Sequence, residues 1–375
     1  PMPIAVTDFY ADNEATAKIG KQMAEVIRAD LERSGLFVNI DPRAYLQPPK
    51  DLQVTPVFAN WRKIAAQALS TGLVRALGDG QITGLQIPVS GFVARNGNFA
   101  LFRQCIDLQF ASLRTASLTA GPTSARLCPQ GNAILSGSGS NVNIAANAPS
   151  LKLNGKVGST PLAISSGALG FSRAKGLTAQ NVAIRLGTPG SMTRLDMAVL
   201  SAGFGRTIEG RIEGASGQVA NVPLLMEKIE GDWRYENGEF LADASLLVRD
   251  EQQVERFRPL ISNDVEIAFD GNDLTATGLL REPESLVSIA AVDIVHAMGS
   301  SKGRALIDIP SLMFDERLQP EQLTPLTLGV IANVEGEISG AGRIDWDSSD
   351  DGIKSGGTFR TNGINLAAAF GPVTG

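Results

Sequence analysis

The sequence has few of the residues on which most enzyme sites depend. His296 is its single histidine, Cys105 and Cys128 are its two cysteines, and aromatic residues make up 6% of the chain. A histidine-based metal site or a Ser-His-Asp triad would have to use His296, which follows an apolar run from Leu286 to Val295. No Gly-x-Ser-x-Gly motif presents a nucleophile, and no glycine-rich motif has the spacing of a phosphate-binding loop. We therefore expect a protein that is not an enzyme, with no catalytic residue, metal or other cofactor.

Long apolar runs and basic blocks are absent as well. No run of about 18 apolar residues could span a membrane, and no export signal is recognisable. The formal net charge is −6, and the pI is near 5.1. Without a block of Lys and Arg, this charge excludes nucleic acid as a natural partner. The chain begins at Pro1 rather than at Met and ends at Gly375 after a strand-like segment, so we expect a mature form or a fragment.

Glycine is scarce at the start of the chain and abundant in the rest. Gly20, Gly35 and Gly72 are the only ones of the 40 glycines that precede residue 76. Such a change in composition predicts two domains, residues 1–75 and residues 76–375, with a boundary between residues 72 and 82.

Residues 1–75 have the pattern of a small α/β lobe. A strand is expected around Ile4–Val6, then a helix near 13–34 that Asp12 or Asn13 caps and Gly35 ends, then a strand over 36–40. A second helix is expected near 60–73. The first helix carries an apolar stripe that we expect to pack on the sheet: Ile19, Met23, Val26, Ile27 and Leu31.

Residues 76–375 are predicted to be almost entirely β. Turn signals at Asp79-Gly80, Asn96-Gly97, Asn154-Gly155, Asn237-Gly238 and Asn362-Gly363 separate runs in which apolar and polar residues alternate, as in antiparallel hairpins. A short helical insertion is expected at 250–257. The clearest alternation places nine apolar residues on one face of the sheet: Val182, Ile184, Leu186, Leu195, Met197, Val199, Val265, Ile267 and Phe269.

The first lobe resembles the amino-terminal domain of TolB, a protein of the Tol-Pal system. The resemblance rests on the segments 27–37, 56–64 and 67–69, which carry Ile-Arg-Ala-Asp-Leu-Glu-Arg-Ser-Gly-Leu-Phe, a Trp-Arg pair and Gln-Ala-Leu. It implies a periplasmic protein–protein interaction module that contacts Tol-Pal components through residues 1–75 and maintains outer-membrane integrity. No propeller repeat with a period of about 40 residues follows this lobe.

The second region resembles YdbH, an intermembrane phospholipid transport family of the AsmA-like superfamily. The resemblance rests on Arg256–Leu260, Val334–Trp346 and Leu366–Val373. It implies an internal segment of a longer envelope protein, in which an elongated antiparallel sheet forms a groove whose apolar face conducts phospholipids between the inner and outer membranes. The partners that it implies are phospholipid and a YnbE-like outer-membrane lipoprotein.

Two alternatives stay open on residues alone. The apolar alternation is typical of a closed sandwich core as well as of an open trough, and the two cysteines could be free thiols in a reducing cytosol or a disulfide. Because the implied location is outside the cytoplasm, we predict a Cys105–Cys128 disulfide. The resemblance to YdbH implies an open trough formed by the nine apolar residues. The two resemblances meet near residue 75. Either a natural fusion or two artificially joined reading frames would produce such a junction.

Overall fold

The chain folds into two compact units. The computed structural model describes residues 1–11, 14–53, 56–74, 80–94, 97–115, 118–138, 141–205, 207–220, 222–297, 300, 302–347, 353–368 and 371–374. The first unit comprises residues 1–81 with 114–116, and the second comprises residues 82–113 with 117–375.

The first unit contains short strands, one long helix and several short helical turns. In chain order these elements are β1 (Met2–Val6), β2 (Tyr10–Ala11), α1 (Glu14–Arg33), β3 (Phe37–Asn39), the 3-10 turns Pro42–Ala44 and Pro49–Gln53, α2 (Phe58–Lys63), β4 (Ala68–Ser70) and β5 (Leu73–Val74).

A three-stranded parallel sheet in the order β3-β1-β4 lies at the centre of the first unit. Alternate residues of β1 supply both of its faces: Ile4 and Val6 pack against α1, and Ala5 packs against Leu52 and Trp61 on the other side. The sheet is thus covered on both faces, which gives this unit a closed core in spite of its small size.

The predicted strand 36–40 and the end of the first helix are confirmed, since α1 ends at Arg33 and Gly35 follows with φ +69°. The proposed caps Asp12 and Asn13 lie outside the described residues. The predicted helix 60–73 is wrong beyond Lys63: Ala65 leaves the helical region at φ +59°, and residues 68–70 pair with β1 as a strand. Pairing with a strand distant in sequence has overridden the local helical pattern.

The second unit consists mainly of strands. In chain order they are β6 (Gln81–Thr83), β7 (Gly91–Val93), β8 (Asn98–Leu101), β9 (Ile106–Phe110), β10 (Ser112–Arg114), β11 (Leu118–Ala120), β12 (Thr123–Pro129), β13 (Leu135–Ser138), β14 (Asn141–Ala148), β15 (Leu151–Val157), β16 (Thr160–Ser166), β17 (Leu169–Ser172), β18 (Gly176–Thr188), β19 (Ser191–Phe204), β20 (Ile208–Gln218), β21 (Leu224–Glu236), β22 (Glu239–Asp250), β23 (Leu260–Phe269), β24 (Asp273–Arg281), β25 (Ser288–Ala297), β26 (Lys302–Phe314), β27 (Ile331–Asp347), β28 (Ile353–Ala368) and β29 (Gly371–Thr374). The helix α3 (Pro320–Leu323) and the 3-10 turn Pro325–Thr327 lie between β26 and β27.

From β18 to β29 each strand pairs antiparallel with the next strand in sequence. The result is one large curled antiparallel sheet, and strands make up 62% of the chain. The predicted fold class, mainly β with a small amino-terminal α/β region, is confirmed.

Of the predicted turns in the described residues, one is confirmed and two lie inside strands instead. Asn237-Gly238 forms the β21–β22 turn with positive φ at both residues, as expected. Asn154-Gly155 lies inside β15, where an added side chain at Gly155 would collide with the carbonyl of Thr119, and Asn362-Gly363 lies inside β28. Asp79 and Asn96 lie outside the described residues.

The predicted helix at 250–257 is also wrong. Asp250 ends β22, and its carboxylate accepts hydrogen bonds from the backbone N–H groups of Gln252 and Arg256 and from the Arg256 guanidinium. These bonds hold residues 251–257 in a series of bends.

Four glycines of the second unit stand opposite aromatic residues in the sheet. The register pairs are Gly137 with Phe99, Gly210 with Trp233, Gly303 with Trp346 and Gly340 with Phe359. In each pair a Cβ on the glycine would come within 3 Å of the ring. The aromatic ring therefore covers the surface that the glycine leaves without a side chain.

Candidate functional site

The register of β19–β28 defines an apolar face made of three columns of side chains. Residues paired across antiparallel strands share a face, and so do residues two apart along a strand. The rim column, next to the hairpin turns, is Phe204, Ile208, Tyr235, Phe240, Phe269, Leu274, His296, Gly303, Trp346 and Ile353. The middle column is Ala202, Gly210, Trp233, Ala242, Ile267, Ala276, Ile294, Ala305, Ile344 and Ser355. The inner column is Leu200, Ile212, Gly231, Ala244, Val265, Val292, Ile307, Gly342 and Gly357.

The opposite, polar face carries the charges of the same strands. Arg211 pairs with Asp232 at 3.2 Å, Arg343 with Asp345 at 2.7 Å, and Arg281 with Asp264 at 2.8 Å. The hydrogen bonds of the Arg281 guanidinium lower the pKa of the Asp264 carboxyl to about 2. Exposed ion pairs of this kind add little to the stability of the fold. They make this face of the sheet polar and hydrated.

The acidic part of the polar face is not arranged as a metal site in the described residues. A shallow depression on the polar face is lined by Asp264, Glu266, Asp293 and Asp308. In the described part of the chain, no group of three or more acidic, histidine or cysteine side chains is arranged to hold a metal ion. The depression is therefore a solvated acidic surface.

The apolar face is only partly shielded from water. Most residues of its columns are half-buried, Ala202 and Ala305 are buried, and five are exposed: Phe204, Tyr235, Ile353, Ser355 and Gly357. After Leu318, the largest fully buried side chain in the described part of this unit is Ser262.

One end of the apolar face is closed by a buried apolar cluster. Leu312, Phe314, Leu318 and Val334 form this closed end, and Ile309, next to the inner column on β26, packs against it. Two loops hold it in place. The backbone N–H of residue 258 donates to the carbonyl of residue 323 at 2.7 Å, and the hydroxyl of residue 324 donates to the carbonyl of residue 256 at 2.6 Å.

A row of irregular backbone crosses the sheet at Asn181, Gly214 and Lys228, whose φ values are +50°, +58° and +52°. Such irregularities reset the alternation of the strand. As a result Ala179 and Val182, three residues apart, both face the same buried cluster.

The nine predicted trough residues are divided by this row. Val182 and Met197 lie within the buried cluster, each 4% exposed, and Ile184 and Leu195 pack against it. Leu186 continues that side of β18. Val265 lies in the inner column, Ile267 in the middle column and Phe269 in the rim column.

Val199 is placed on the polar face, away from the other eight. It pairs with Gln180 and Glu213, which are exposed, whereas the adjacent Leu200 packs on the buried cluster. The change of face falls at the irregular row, since Asn181 lies on the neighbouring strand between the residues that pair with Val199 and Met197.

The rim and middle columns contain aromatic residues that were not among the predicted site residues. Trp346 stacks on His296 with ring centroids 6.1 Å apart, and its indole N–H donates to His296 Nδ1 at 3.1 Å. Burial lowers the pKa of the His296 imidazole. Trp233 stacks on Phe240 at 5.8 Å. The sequence contains a signal that could have indicated these residues. Aromatic residues recur just before or after hairpin turns, as at Tyr235 and Phe240.

Cys105 and Cys128 form a disulfide, with their Cα atoms 4.0 Å apart. The bond joins the segment just before β9 to β12, two strands that also pair directly, with Leu127 opposite Ile106. It thus ties together the early part of the second unit, before the apolar face begins.

The first unit has an exposed apolar stripe on α1. Ile19, Met23 and Val26 are 47%, 43% and 60% exposed, whereas Ile27 and Leu31 pack against the sheet. The prediction that all five residues face the sheet is therefore wrong for three of them. Ala24 is fully buried. Its small side chain lets α1 contact the sheet through the side of the helix that carries Ala24, Ile27 and Leu31.

The comparison with known proteins concerns this first unit. Residues 1–85 match the TolB amino-terminal domain. The Tol-Pal system protein TolB of Paramagnetospirillum magneticum is 43% identical over 82 residues, and that of Rickettsia rickettsii is 42% identical over 81 residues. Each match covers 22% of this chain and 18% of the relative, so the chain spans less than a fifth of these relatives. No solved structure gives a significant match.

The resemblance of the first lobe to TolB is thus confirmed at the level of this domain. In the described part of the chain, no helix has the length and apolar character needed to cross a membrane.

Proposed function

We propose that the first unit is a Tol-Pal type protein–protein interaction module in the cell envelope. The TolB amino-terminal match over residues 1–85 carries this proposal. The exposed stripe of Ile19, Met23 and Val26 supplies a surface for it, because apolar residues recurring on one side of a helix are the usual anchors of a protein interface. The role is binding without catalysis, and the location is the periplasm.

Binding to purified Tol-Pal components of Paramagnetospirillum magneticum tests this module. The double variant Ile19→Asp, Val26→Asp is expected to weaken binding at least about tenfold, because two desolvated apolar contacts would become charged. Lys21→Asp is the matched control: it changes net charge by the same amount, but its position lies about 200° round the helix from Ile19. Binding that the double variant leaves unchanged would exclude this stripe as the interface. No binding by the parent chain would contradict the module itself.

For the second unit we propose binding of phospholipid along the apolar face. The observation in favour is that none of the residues in the three columns is charged, although the face is only half-buried. Protein interfaces are typically only about 57–65% apolar, whereas a surface for acyl chains needs no polar partner. Each CH₂ buried there contributes about 0.8 kcal/mol. The resemblance to YdbH points the same way and implies transport between the two membranes with a YnbE-like lipoprotein as partner.

Mass spectrometry of lipids that co-purify with the chain tests this second proposal. Ile267→Asp with Ile294→Asp is expected to remove bound lipid while the sheet stays folded, because both positions are half-buried. Thr275→Asp with Thr277→Asp is the control, since these exposed residues lie on the polar face of β24, the strand between the two that carry Ile267 and Ile294. Lipid retained by the first pair, or absent from the parent, would contradict the proposal.

A further inference from the structure

Three loops lie side by side at the edge of the sheet opposite the rim. They connect β22 to β23, β24 to β25 and β26 to β27, and they comprise residues 251–259, 282–287 and 315–330. Arg258 Nε donates to the carbonyl of Glu321 at 2.8 Å, which adds to the two hydrogen bonds already described between the first and third loops. Val287 of the second loop and Leu323 of the third both pack against the closed end. The three loops therefore meet over the closed end.

Each of these loops exposes apolar side chains to water. Five such residues, all more than half exposed, make up what we call the loop patch: Val254, Leu286, Leu326, Leu328 and Val330. Single exposed apolar residues are common on protein surfaces. A group of them on connected loops is instead typical of an interaction surface.

Polar side chains fix the loops that carry this patch. The buried Glu282 carboxylate accepts hydrogen bonds from the backbone N–H groups of Glu284 and Ser285 at 3.0 and 2.6 Å. The Gln319 side chain accepts from the N–H of Val334 and donates to the carbonyl of the same residue, both at 2.9 Å. The carboxylate at the end of β22 acts in the same way on the first loop. Because the loops are already held in place, a partner would lose little free energy in ordering them.

Leu286 has a backbone conformation that leucine rarely adopts. Its φ is +59°, in the left-handed region that favours glycine. The carbonyl of Glu282 accepts the Leu286 N–H at 2.9 Å, which closes the turn. The leucine side chain is exposed, so no burial within the described chain offsets the strain. A strained and exposed leucine at a position that suits glycine points to a use of its side chain at the surface.

The surroundings of the loop patch are acidic. The three loops contain seven Asp and Glu residues, three arginines and no lysine. Arg256 pairs with Asp250, and Arg317 pairs with Asp315 at 2.7 Å. Within the described part of the chain, four carboxylates of the loops form no ion pair: Glu255, Glu284, Glu316 and Glu321. Apolar and anionic side chains complement a partner with apolar and cationic ones, and they disfavour an anionic membrane surface.

We propose that the loop patch binds a basic amphipathic segment of another protein. The apolar side chains of that segment lie on Leu286, Leu326 and Leu328, and its lysines or arginines lie beside the unpaired glutamates. A helix with apolar residues on one face and basic residues on the other has this chemistry. The proposal is independent of lipid binding, because the loop patch lies on connecting loops and not in the three columns.

A fluorescent peptide of leucine and lysine, about 14 residues or four helical turns long, is the probe. Its leucines are spaced to form one face of a helix, and a peptide with glutamate in place of lysine is the charge control. Fluorescence anisotropy with the full chain at about 0.15 M salt should show at least about tenfold tighter binding of the lysine peptide. Equal affinities, or no binding of the lysine peptide, would overturn the proposal.

Serine substitutions test whether the peptide binds the loop patch. Leu326→Ser with Leu328→Ser should weaken binding at least about tenfold, because two apolar contacts are lost without a change in net charge. Leu85→Ser with Val89→Ser is the matched control, since both residues are exposed and lie between β6 and β7. The control should change the affinity less than about twofold. Equal losses would mean that the peptide binds exposed apolar residues in general, and the loop patch would be wrong as the site.

The glutamates are tested by removing two charges. Glu316→Gln with Glu321→Gln should weaken binding about three- to tenfold and reduce its dependence on salt. Glu209→Gln with Glu236→Gln makes the same change in net charge on exposed residues of β20 and β21. An equal effect of both pairs would assign the attraction to the net charge of the chain and contradict the proposed contacts.

Leu286→Gly separates a surface role of this residue from a structural one. Glycine adopts a φ of +59° without strain, so Tm should not fall. Binding of the lysine peptide should nevertheless weaken about three- to tenfold. Unchanged binding would remove Leu286 from the interface, and a lower Tm would assign it a structural role instead.

Two other occupants would be revealed by the same serine pair. A dimer in sedimentation equilibrium that Leu326→Ser with Leu328→Ser abolishes would identify a second copy of the chain as the occupant. Binding to phosphatidylcholine vesicles that the pair abolishes would identify a membrane surface. Either result would overturn the proposed protein segment.

Discussion

The two units differ in how far they bury their apolar side chains. In the first, a sheet of three short strands is covered on both faces, and Val6 and Ala5 are fully buried although the unit is small. In the second, far longer strands form a large curled antiparallel sheet, and most side chains in the three columns of β19–β28 are only half-buried. The difference is one of burial: in the first unit apolar residues form a closed core, and in the second many of them stay partly in contact with water.

The largest expected effect tests the closed core of the first unit by placing the same charge at a buried and at an exposed position of one sheet. Val6→Asp should destabilise the first unit by more than about 4 kcal/mol, because a charge would be buried without a partner. Loss of the helical far-UV circular dichroism signal would report it, since α1 is the longest helix described. Val38→Asp, half-exposed in the same sheet, is the control and should cost less than about 1 kcal/mol. Similar behaviour of both variants would mean that the core is not closed.

The next largest effect is expected from removing the disulfide bond of the second unit. Cys105 and Cys128 are separated by 23 positions, so closing this loop should contribute about 3 kcal/mol. Cys105→Ser with Cys128→Ser, or the parent in reductant, should show the loss as a lower Tm. Labelling of the native parent by iodoacetamide without reductant would show free thiols and contradict the bond.

A smaller effect is expected from removing Asp250, a buried charged residue of the second unit. The Asp250 side chain is fully buried, and the guanidinium and backbone N–H of Arg256 lower the pKa of its carboxyl. Asp250→Ala should cost about 2 kcal/mol in chemical unfolding, because the donors of residues 252–256 would lose their acceptor. Asp243→Ala, which removes an exposed ion pair with Arg234, should cost less than about 0.5 kcal/mol. Equal costs would mean that the bends do not depend on Asp250.

The smallest effect concerns the single histidine. Burial lowers the pKa of His296, so the unfolded imidazole binds a proton at a pH where the folded one does not. Stability should therefore be complete above about pH 6.5 and decline as the pH falls through the lowered pKa. Protonation of Nδ1 would also break the bond from Trp346. His296→Phe should remove this part of the pH dependence of Tm, and an unchanged profile would assign it to other groups.

Local features of the sequence predicted the fold where neighbouring residues decide the structure. Gly35 ends α1, and Asn237-Gly238 turns the chain, because both need only a positive φ at one place. Residues 68–70 and Gly155 were misassigned because distant strands decide their conformation: β1 pairs with the first, and Thr119 approaches the second.

The candidate site shows the same limit of sequence reasoning. Alternation put Val265, Ile267 and Phe269 on one face of β23, and the register places them in the inner, middle and rim columns. Val199 lies on the other face, and the irregular row at which the face changes cannot be read from side-chain spacing. The tautomer of His296 depends on Trp346, fifty residues away in sequence, and no local pattern predicts such a contact.

The pairing of each strand with its sequence neighbour from β18 to β29 has a consequence for how such a protein can change in evolution. In the described residues, strand pairing from β18 to β29 runs between sequence neighbours, so the sheet resembles a one-dimensional array to which hairpins add one at a time. Duplication or loss of one hairpin away from the closed end would lengthen or shorten the apolar face while leaving the other strand pairs intact. A chain built in this way can change the length of its apolar face without redesigning a core.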